Sequence, residues 1–185
     1  MNKIILSIIT LTSLSITTSS FTAKNIYEAI ESDNIQEVTK FIKDANISDN
    51  NGKTPLHVAA GKANINIIKL LIQNRTTESL NKTDKNGLTP LHYACKGDDT
   101  EAIKLILQNG SKDLINKADK FGNTPPYYAC AGSKNRNSLD VVMVLLSNGA
   151  NIDIKSRSIA ARKPEIKEYF KLIENQSENK KIKAK

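Results

Sequence analysis

The stretch DKNGLTPLHYACKGDDTEAIKLILQNG, from Asp84 to Gly110, decides the fold because the chain writes it more than once. DNNGKTPLHVAAGKANINIIKLLIQNR runs from Asp49 to Arg75, and DKFGNTPPYYAC begins a third copy at Asp119. Thr54, Thr89 and Thr124 stand 35 residues apart in both steps (89 − 54 and 124 − 89). Self-similarity at a fixed period outranks any single motif and predicts one structural unit used several times.

Within a unit the local chemistry is legible. Asp49, Asn50, Asn51 and Gly52 favour a tight turn, with glycine free to take positive φ and Asx side chains able to bond nearby backbone. Thr54 before Pro55 reads as an N-cap followed by proline at the first helical position, where a missing N–H costs nothing. Leu56, Ala59 and Ala60 give that short helix a small-residue apolar side, and Gly61 to Asn64 breaks it. Ile65, Ile68, Leu71 and Ile72 then recur at helical spacing and predict a second, amphipathic helix. Helices this short are marginal alone, so stacked units sharing one core are expected.

The GKTPLHVAA and GLTPLHYAC runs, each followed by an IIKLLI or AIKLIL helix, resemble ankyrin repeats, whose signature is Thr-Pro-Leu-His-x-Ala at a period near 33. The resemblance implies an all-α fold, an ankyrin-repeat solenoid of stacked helix-turn-helix units joined by hairpin-like turns. It divides the chain into an N-terminal capping repeat (24–48), three repeats (49–83, 84–118 and 119–153), a C-terminal cap (154–174) and a basic, disordered tail (175–185). The cap at the start rests on IYEAIESDNIQEVTKFI, Ile26 to Ile42, which aligns without a gap to Leu56 to Ile72 but lacks Thr-Pro. The cap at the end rests on SIAARKPEIKEYFKLI, Ser158 to Ile173, with Pro164 opening its second helix.

The third repeat departs from the pattern. Pro126 and Tyr127 replace the Leu and His, and GSKNRNSLD lengthens the inter-helix connection by about four residues relative to the other two units. Two prolines in a first turn are tolerated, but the lost leucine marks this repeat as the weakest internal one.

The first 23 residues differ in kind. One lysine precedes an apolar run from Ile4 to Ile16, followed by Thr, Ser and small residues, which is the order of a secretory signal peptide. As a helix the run would span about 20 Å, short of the ~30 Å hydrocarbon core, so cleavage and export are expected rather than anchoring. The chain thus resembles ankyrin-repeat proteins of the bacterial, exported type, and the leader implies a periplasmic or secreted location.

The chain carries a formal charge of +8, and residues 155–185 hold ten Lys and Arg against four Glu. The repeat body is therefore nearly neutral, without the clustered cations of a nucleic-acid groove. The tail SENKKIKAK reads as a solvated end that makes at most weak contact with an anionic membrane. An enzyme, or a membrane- or nucleic-acid-associated factor using that tail, is the alternative reading.

Candidate chemistry is sparse. His57 and His92 belong to the repeat signature and are expected to bond within and between turns. Cys95 and Cys130, one period apart, are expected as free thiols about 8 to 10 Å from each other, beyond disulfide reach. Asp98, Asp99 and Glu101 read as a solvated helix start, where negative charge suits the macrodipole. No phosphate loop, nucleophile elbow or metal-ligand spacing is present, so no catalytic residue, cofactor site or metal site is assigned.

The resemblance places partner contacts beside the hairpin glycine and after the Ala pair of the first helix. These positions are Asn50, Asn51, Lys53 and Lys62 in the first full repeat, Lys85, Asn86, Leu88 and Lys96 in the second, and Lys120, Phe121 and Asn123 in the third. The expected molecule is a monomer that binds another protein without catalysis. Phe121 and Leu88 stand out, since turn tips seldom carry large apolar side chains without a use. Phe121 is either a contact residue or a lid over the weakened third repeat beside Pro126.

Overall fold

Five helix pairs follow from five short start signals. The computed structural model describes residues 24–74, 78–132 and 138–183; the expected signal peptide, residues 1–23, lies outside them. The first helices are α1 (Ile26–Glu31), α3 (Pro55–Gly61), α6 (Pro90–Gly97), α8 (Pro125–Ala131) and α10 (Ile154–Ala160). Their partners are α2 (Ile35–Lys40), α4 (Ile65–Gln73), α7 (Thr100–Asn109), α9 (Ser138–Ser147) and α11 (Pro164–Lys183), with one turn of helix, α5 (Glu78–Asn81), between units. No strand occurs among the described residues.

Thr54, Thr89 and Thr124 hold extended backbone and deliver proline to the first helical position of α3, α6 and α8. Asn25 and Asp153 serve the terminal units, their side chains accepting from Tyr27 and Glu28 N–H and from Ser156 N–H. Three first helices end the same way, on a left-handed residue: Asp33, Ala63 and Asp98 have φ of 52°, 55° and 62°. Three non-glycine residues in that region is a cost of order 1 kcal/mol each, accepted because the chain must reverse at once into the second helix.

First helices stack in one row, α1 on α3 on α6 on α8 on α10, and second helices in another, α2 on α4 on α7 on α9 on α11. Between the rows lies one continuous core. Ala29, Ala59, Ala94 and Ala129 recur at its tightest level, and Val38, Ile68, Ile103 and Val142 fill the second-helix level, all fully buried. Each large aliphatic side chain so buried contributes roughly 1.5–3 kcal/mol. Small residues in the first row let neighbouring helices approach; large ones in the second fill the space that remains.

The core register measures the insertion in the third repeat. Ile68 to Ile103 is 35 residues (103 − 68), whereas Ile103 to Val142 is 39 (142 − 103), four more, with the surplus placed between α8 and α9. Pro126, in the leucine's place, is buried.

Two expectations need correction. Helix α11 continues to Lys183 instead of giving way to a disordered tail after Glu174. The segment from Glu174 to Lys183 contains neither glycine nor proline and is rich in good helix formers, so nothing local ends the helix. Asp98 is 4% exposed rather than solvated. Its left-handed backbone turns the carboxylate toward the lengthened third-repeat connection, where Oδ2 accepts from Ser138 Oγ at 3.1 Å and Lys163 Nζ reaches the same hydroxyl at 2.7 Å and the Gly132 carbonyl at 2.9 Å. Burial raises the Asp98 carboxyl, and Ser138 and the Lys163 charge oppose that rise. Asp99 does cap α7, accepting from Ala102 N–H at 2.8 Å.

Candidate functional site

The hairpin turns are built by one aspartate each. Asp49 Oδ1 accepts from the N–H groups of Asn51 and Lys53, both at 2.8 Å, and its own N–H donates to the Lys53 carbonyl. Asp84 does the same with Asn86 and Leu88, and Asp119 with Phe121 and Asn123. The third residue after each aspartate is glycine at positive φ, 79° at Gly52 and 82° at Gly87. A Cβ at Gly87 would lie 2.9 Å from Lys120 N, so glycine is required by the neighbouring turn as well as by φ.

Successive turns are tied by backbone. Lys85 N–H donates to the Asn51 carbonyl and Lys120 N–H to the Asn86 carbonyl, each at 2.9 Å. A second ladder runs beneath. Tyr27 Oη donates to the Lys53 carbonyl at 2.7 Å, and His57 Nε2, one unit on, meets the Leu88 carbonyl at 3.0 Å. His57 Nδ1 accepts from Thr54 N–H at 3.0 Å, which puts the ring hydrogen on Nε2. His92 repeats the Thr89 contact, but its Nε2 has no hydrogen-bond partner. Burial holds His57 below the ordinary imidazole range and pushes His92 down to about 4, so both rings are neutral structural groups.

Tyrosines brace the same turns. Tyr93 Oη donates to Asp84 Oδ2 at 2.9 Å and Tyr128 Oη to Asp119 Oδ2 at 2.6 Å. Their rings pack edge-on against His57 and His92, with centroids 5.5 and 5.6 Å apart. Burial lifts the Tyr93 phenol, and Tyr128 rises to about 12, with the aspartate acceptor adding to the effect.

In the third repeat the cap contact is lost too. Tyr127 occupies the histidine's place and cannot accept from the cap, so Thr124 Oγ1 is buried without a partner. Its ring sits edge-on to Tyr128, centroids 5.5 Å apart, and walls two open clefts. One, about 580 Å³, is lined by Phe121, Asn123, Tyr127, Ile154, Lys155, Ser158 and Ile159. The other, about 450 Å³, is lined by Lys96, Tyr127, Tyr128, Ala131 and Gly132.

The expected contact residues divide on inspection. Asn50, Asn51, Lys85, Asn86 and Lys120 are exposed on the turns, with the backbone of all but Asn50 also serving hydrogen bonds to the turn aspartates or to a neighbouring turn. Lys53 lies over the Tyr93 ring at 5.2 Å, and Lys62 pairs with Glu31 at 2.7 Å. Leu88 is half-buried between His92, Tyr93, Lys96 and Tyr128. Asn123 turns its amide toward Asp119 Oδ2. Phe121 is 68% exposed, away from the core on which Pro126 is buried. The repeat pattern does not mark Tyr127, Ile154 or Ile159 as contacts: Tyr127 stands where the pattern has histidine, and the two isoleucines lie in a cap that has no hairpin motif to place them.

Cys95 and Cys130 are free and buried, at the positions where the first full repeat has Ala60. Burial pushes the Cys95 thiol up and brings Cys130 to about 12. Among the described residues no group of three His, Cys, Asp or Glu side chains is placed to hold a metal ion, and no helix is long and apolar enough to cross a membrane.

The repeated turn, cap and paired helices now have a name from comparison as well. The family model described as "Ankyrin repeats (3 copies)" matches residues 26–113 and 75–156, together most of the chain. The chain belongs to the ankyrin-repeat family. No curated protein matches it significantly. The match takes in the N-terminal cap from Ile26 and ends at Ser156, inside α10, so the Phe121–Ile154 cleft lies at the edge of the ankyrin array.

Proposed function

We propose that this ankyrin-repeat protein is a non-catalytic module that binds another protein through its hairpin turns and first helices, acting as a monomer outside the cytoplasm. One observation carries the reading. The turns are locked to one another by backbone hydrogen bonds, so a rigid surface is held in place by groups that leave side chains such as Asn50, Lys85, Lys120 and Phe121 free of structural duty. A preorganised surface loses little freedom when a partner binds, which is where such a scaffold gains affinity. Ankyrin repeats are in general protein-interaction modules, and that family property supports the same conclusion. Export is supported by the residue order of positions 1–23.

The test compares affinity capture by the wild-type chain and by Phe121→Ala, identified by mass spectrometry. Proteins retained by the first and lost by the second are expected, with stability within about 0.5 kcal/mol of wild type. Capture of no protein by the wild-type chain, or turnover of a small substrate by the purified chain, would overturn the reading, whereas identical capture by the two chains would remove only Phe121 from the contact surface. Export is tested separately by fusing residues 1–30 to a reporter active only outside the cytoplasm.

A further inference from the structure

We infer that the cleft between the third hairpin turn and the C-terminal cap seats an extended, acidic segment of the partner protein, with one apolar side chain of that segment held among Phe121, Tyr127 and Ile154. The inference rests on the protein-binding reading and names the chemistry of the segment bound.

The apolar seat is the first observation. Phe121 and Ile154 are 68% and 86% exposed, on the turn and on α10, and both line the same cleft with Tyr127. Two large apolar side chains so exposed on facing elements mark a contact surface more than a packing defect. The seat exists because the third repeat breaks its own pattern: a histidine here would turn inward to the cap, as His57 and His92 do, whereas Tyr127 leaves Thr124 Oγ1 unpartnered and lines the cleft instead.

Charge is the second. Tyr127 walls both clefts, and each holds a lysine, Lys96 in one and Lys155 in the other. Among the described residues no carboxylate lines either cleft. Asp119 and Asp153, bonded to or next to lining residues, have other duties: Asp119 accepts from two backbone N–H groups, Tyr128 and Asn123, and Asp153 caps α10. Lys155 gives one hydrogen to the Phe121 carbonyl at 2.8 Å and keeps two for a ligand. No carboxylate lies within salt-bridge distance of Lys96, Lys120 or Lys155 among the described residues. Unpaired cations flanking an apolar seat complement an acidic chain with an apolar anchor.

The shape is the third. Both parts are open along one side, so a small molecule in either would keep much of its surface in water, whereas an extended chain can cross Tyr127 and occupy both. Phe121 and Tyr127 share the seat with aliphatic Ile154 and Ile159, and an oligothymidylate competitor separates an apolar side chain from a stacked base.

The experiment selects binders to the full chain from a random peptide library displayed on phage. Recovered peptides are labelled and measured by fluorescence anisotropy, with a twelve-residue oligothymidylate as competitor. Acidic peptides with a central large apolar residue are expected, binding at least tenfold more weakly to Phe121→Ala, Ile154→Ser and Lys155→Glu, and unchanged with Leu172→Ser, a 54% exposed control on α11. Replacing the peptide's apolar residue by serine should cost a similar factor. Recovered peptides that are basic or neutral, or that bind independently of Phe121, would sink this cleft while leaving the wider protein-binding reading intact. Oligothymidylate binding with no peptide recovered would sink both. A dimer in sedimentation that Phe121→Ala dissolves would instead give the seat to a second copy of the chain.

Discussion

His57 Nε2 donates to the main-chain carbonyl of Leu88 in the next hairpin turn, 3.0 Å away, while Nδ1 of the same ring accepts from Thr54 N–H in its own. One neutral imidazole thus closes the cap of its helix and fixes the neighbouring unit. His92 keeps only the cap bond, Nδ1 accepting from Thr89 N–H, and lacks the bond to the next turn. Replacing His57 with alanine is expected to cost about 3 kcal/mol, from two lost buried hydrogen bonds and a cavity. His92→Ala should cost about 1 kcal/mol less, as read from urea-unfolding midpoints.

These two histidines also set an acid limit. Both have folded-state values below the unfolded 6.5, with His92 at about 4, so between those values the unfolded chain binds more protons than the folded one. Their contribution is fully present above pH 6.5 and is lost as pH falls toward 4, by at most about 1.4 kcal/mol per pH unit for each ring. Asp98, whose carboxyl is raised by burial, acts in the opposite sense as pH falls. Melting temperature should therefore drop from pH 6.5 to 4.5, and the double variant His57→Ala, His92→Ala, which leaves no histidine in the chain, should flatten that slope.

Glycines at positive φ separate conformational strain from crowding. Gly87→Ala places Cβ 2.9 Å from Lys120 N and threatens the bond between turns, whereas Gly149, at φ 89°, has nothing within 4 Å. Gly149→Ala should cost about 1 kcal/mol, the strain of a left-handed alanine. Gly87→Ala should cost at least about 1 kcal/mol more, and equal losses would show that the turns are not in register.

The thiols report on the core. Cys95 and Cys130 are buried in adjacent first helices and their thiols are raised by burial, so in the native protein neither should react with a disulfide reagent at pH 8 on the timescale of free cysteine. Denatured without reductant, the chain should titrate two thiols. One fast thiol in the native state would locate local opening of the repeat that contains it.

Lys163 carries more than its surface position suggests. It connects the Gly132 carbonyl and Ser138 Oγ, and Ser138 in turn donates to buried Asp98. Lys163→Met should cost about 1–2 kcal/mol by leaving that carboxylate short of compensating charge. Lys167→Met, on the exposed side of α11, should fall within about 0.5 kcal/mol of wild type.

Repetition made most of the fold legible before any coordinate. Asp-x-x-Gly-x-Thr-Pro specifies a turn and a helix start from neighbours within six residues, and the aliphatic spacing of Ile65 to Ile72 specifies the partner helix. Both signals are local, and three copies amplify them, so the paired helices, the inward histidines, the alanine level of the core and the Pro164 start were all within reach of the sequence. The insertion was legible as well, because it shifts the core register by four. What only the tertiary structure decided lies where repetition fails. Asp98 meets Ser138 40 positions away and Ser138 meets Lys163 25 positions away, through an interrupted repeat and a cap without a hairpin, where no period predicts the pairing. The Phe121–Tyr127–Ile154 cleft has the same origin: a turn tip, a lost histidine and a cap residue, each unremarkable alone, come together because stacking places α10 beside α8. Periodicity tells a chain which faces must stack, while the side chains left at the end of the stack are decided by the last interface formed.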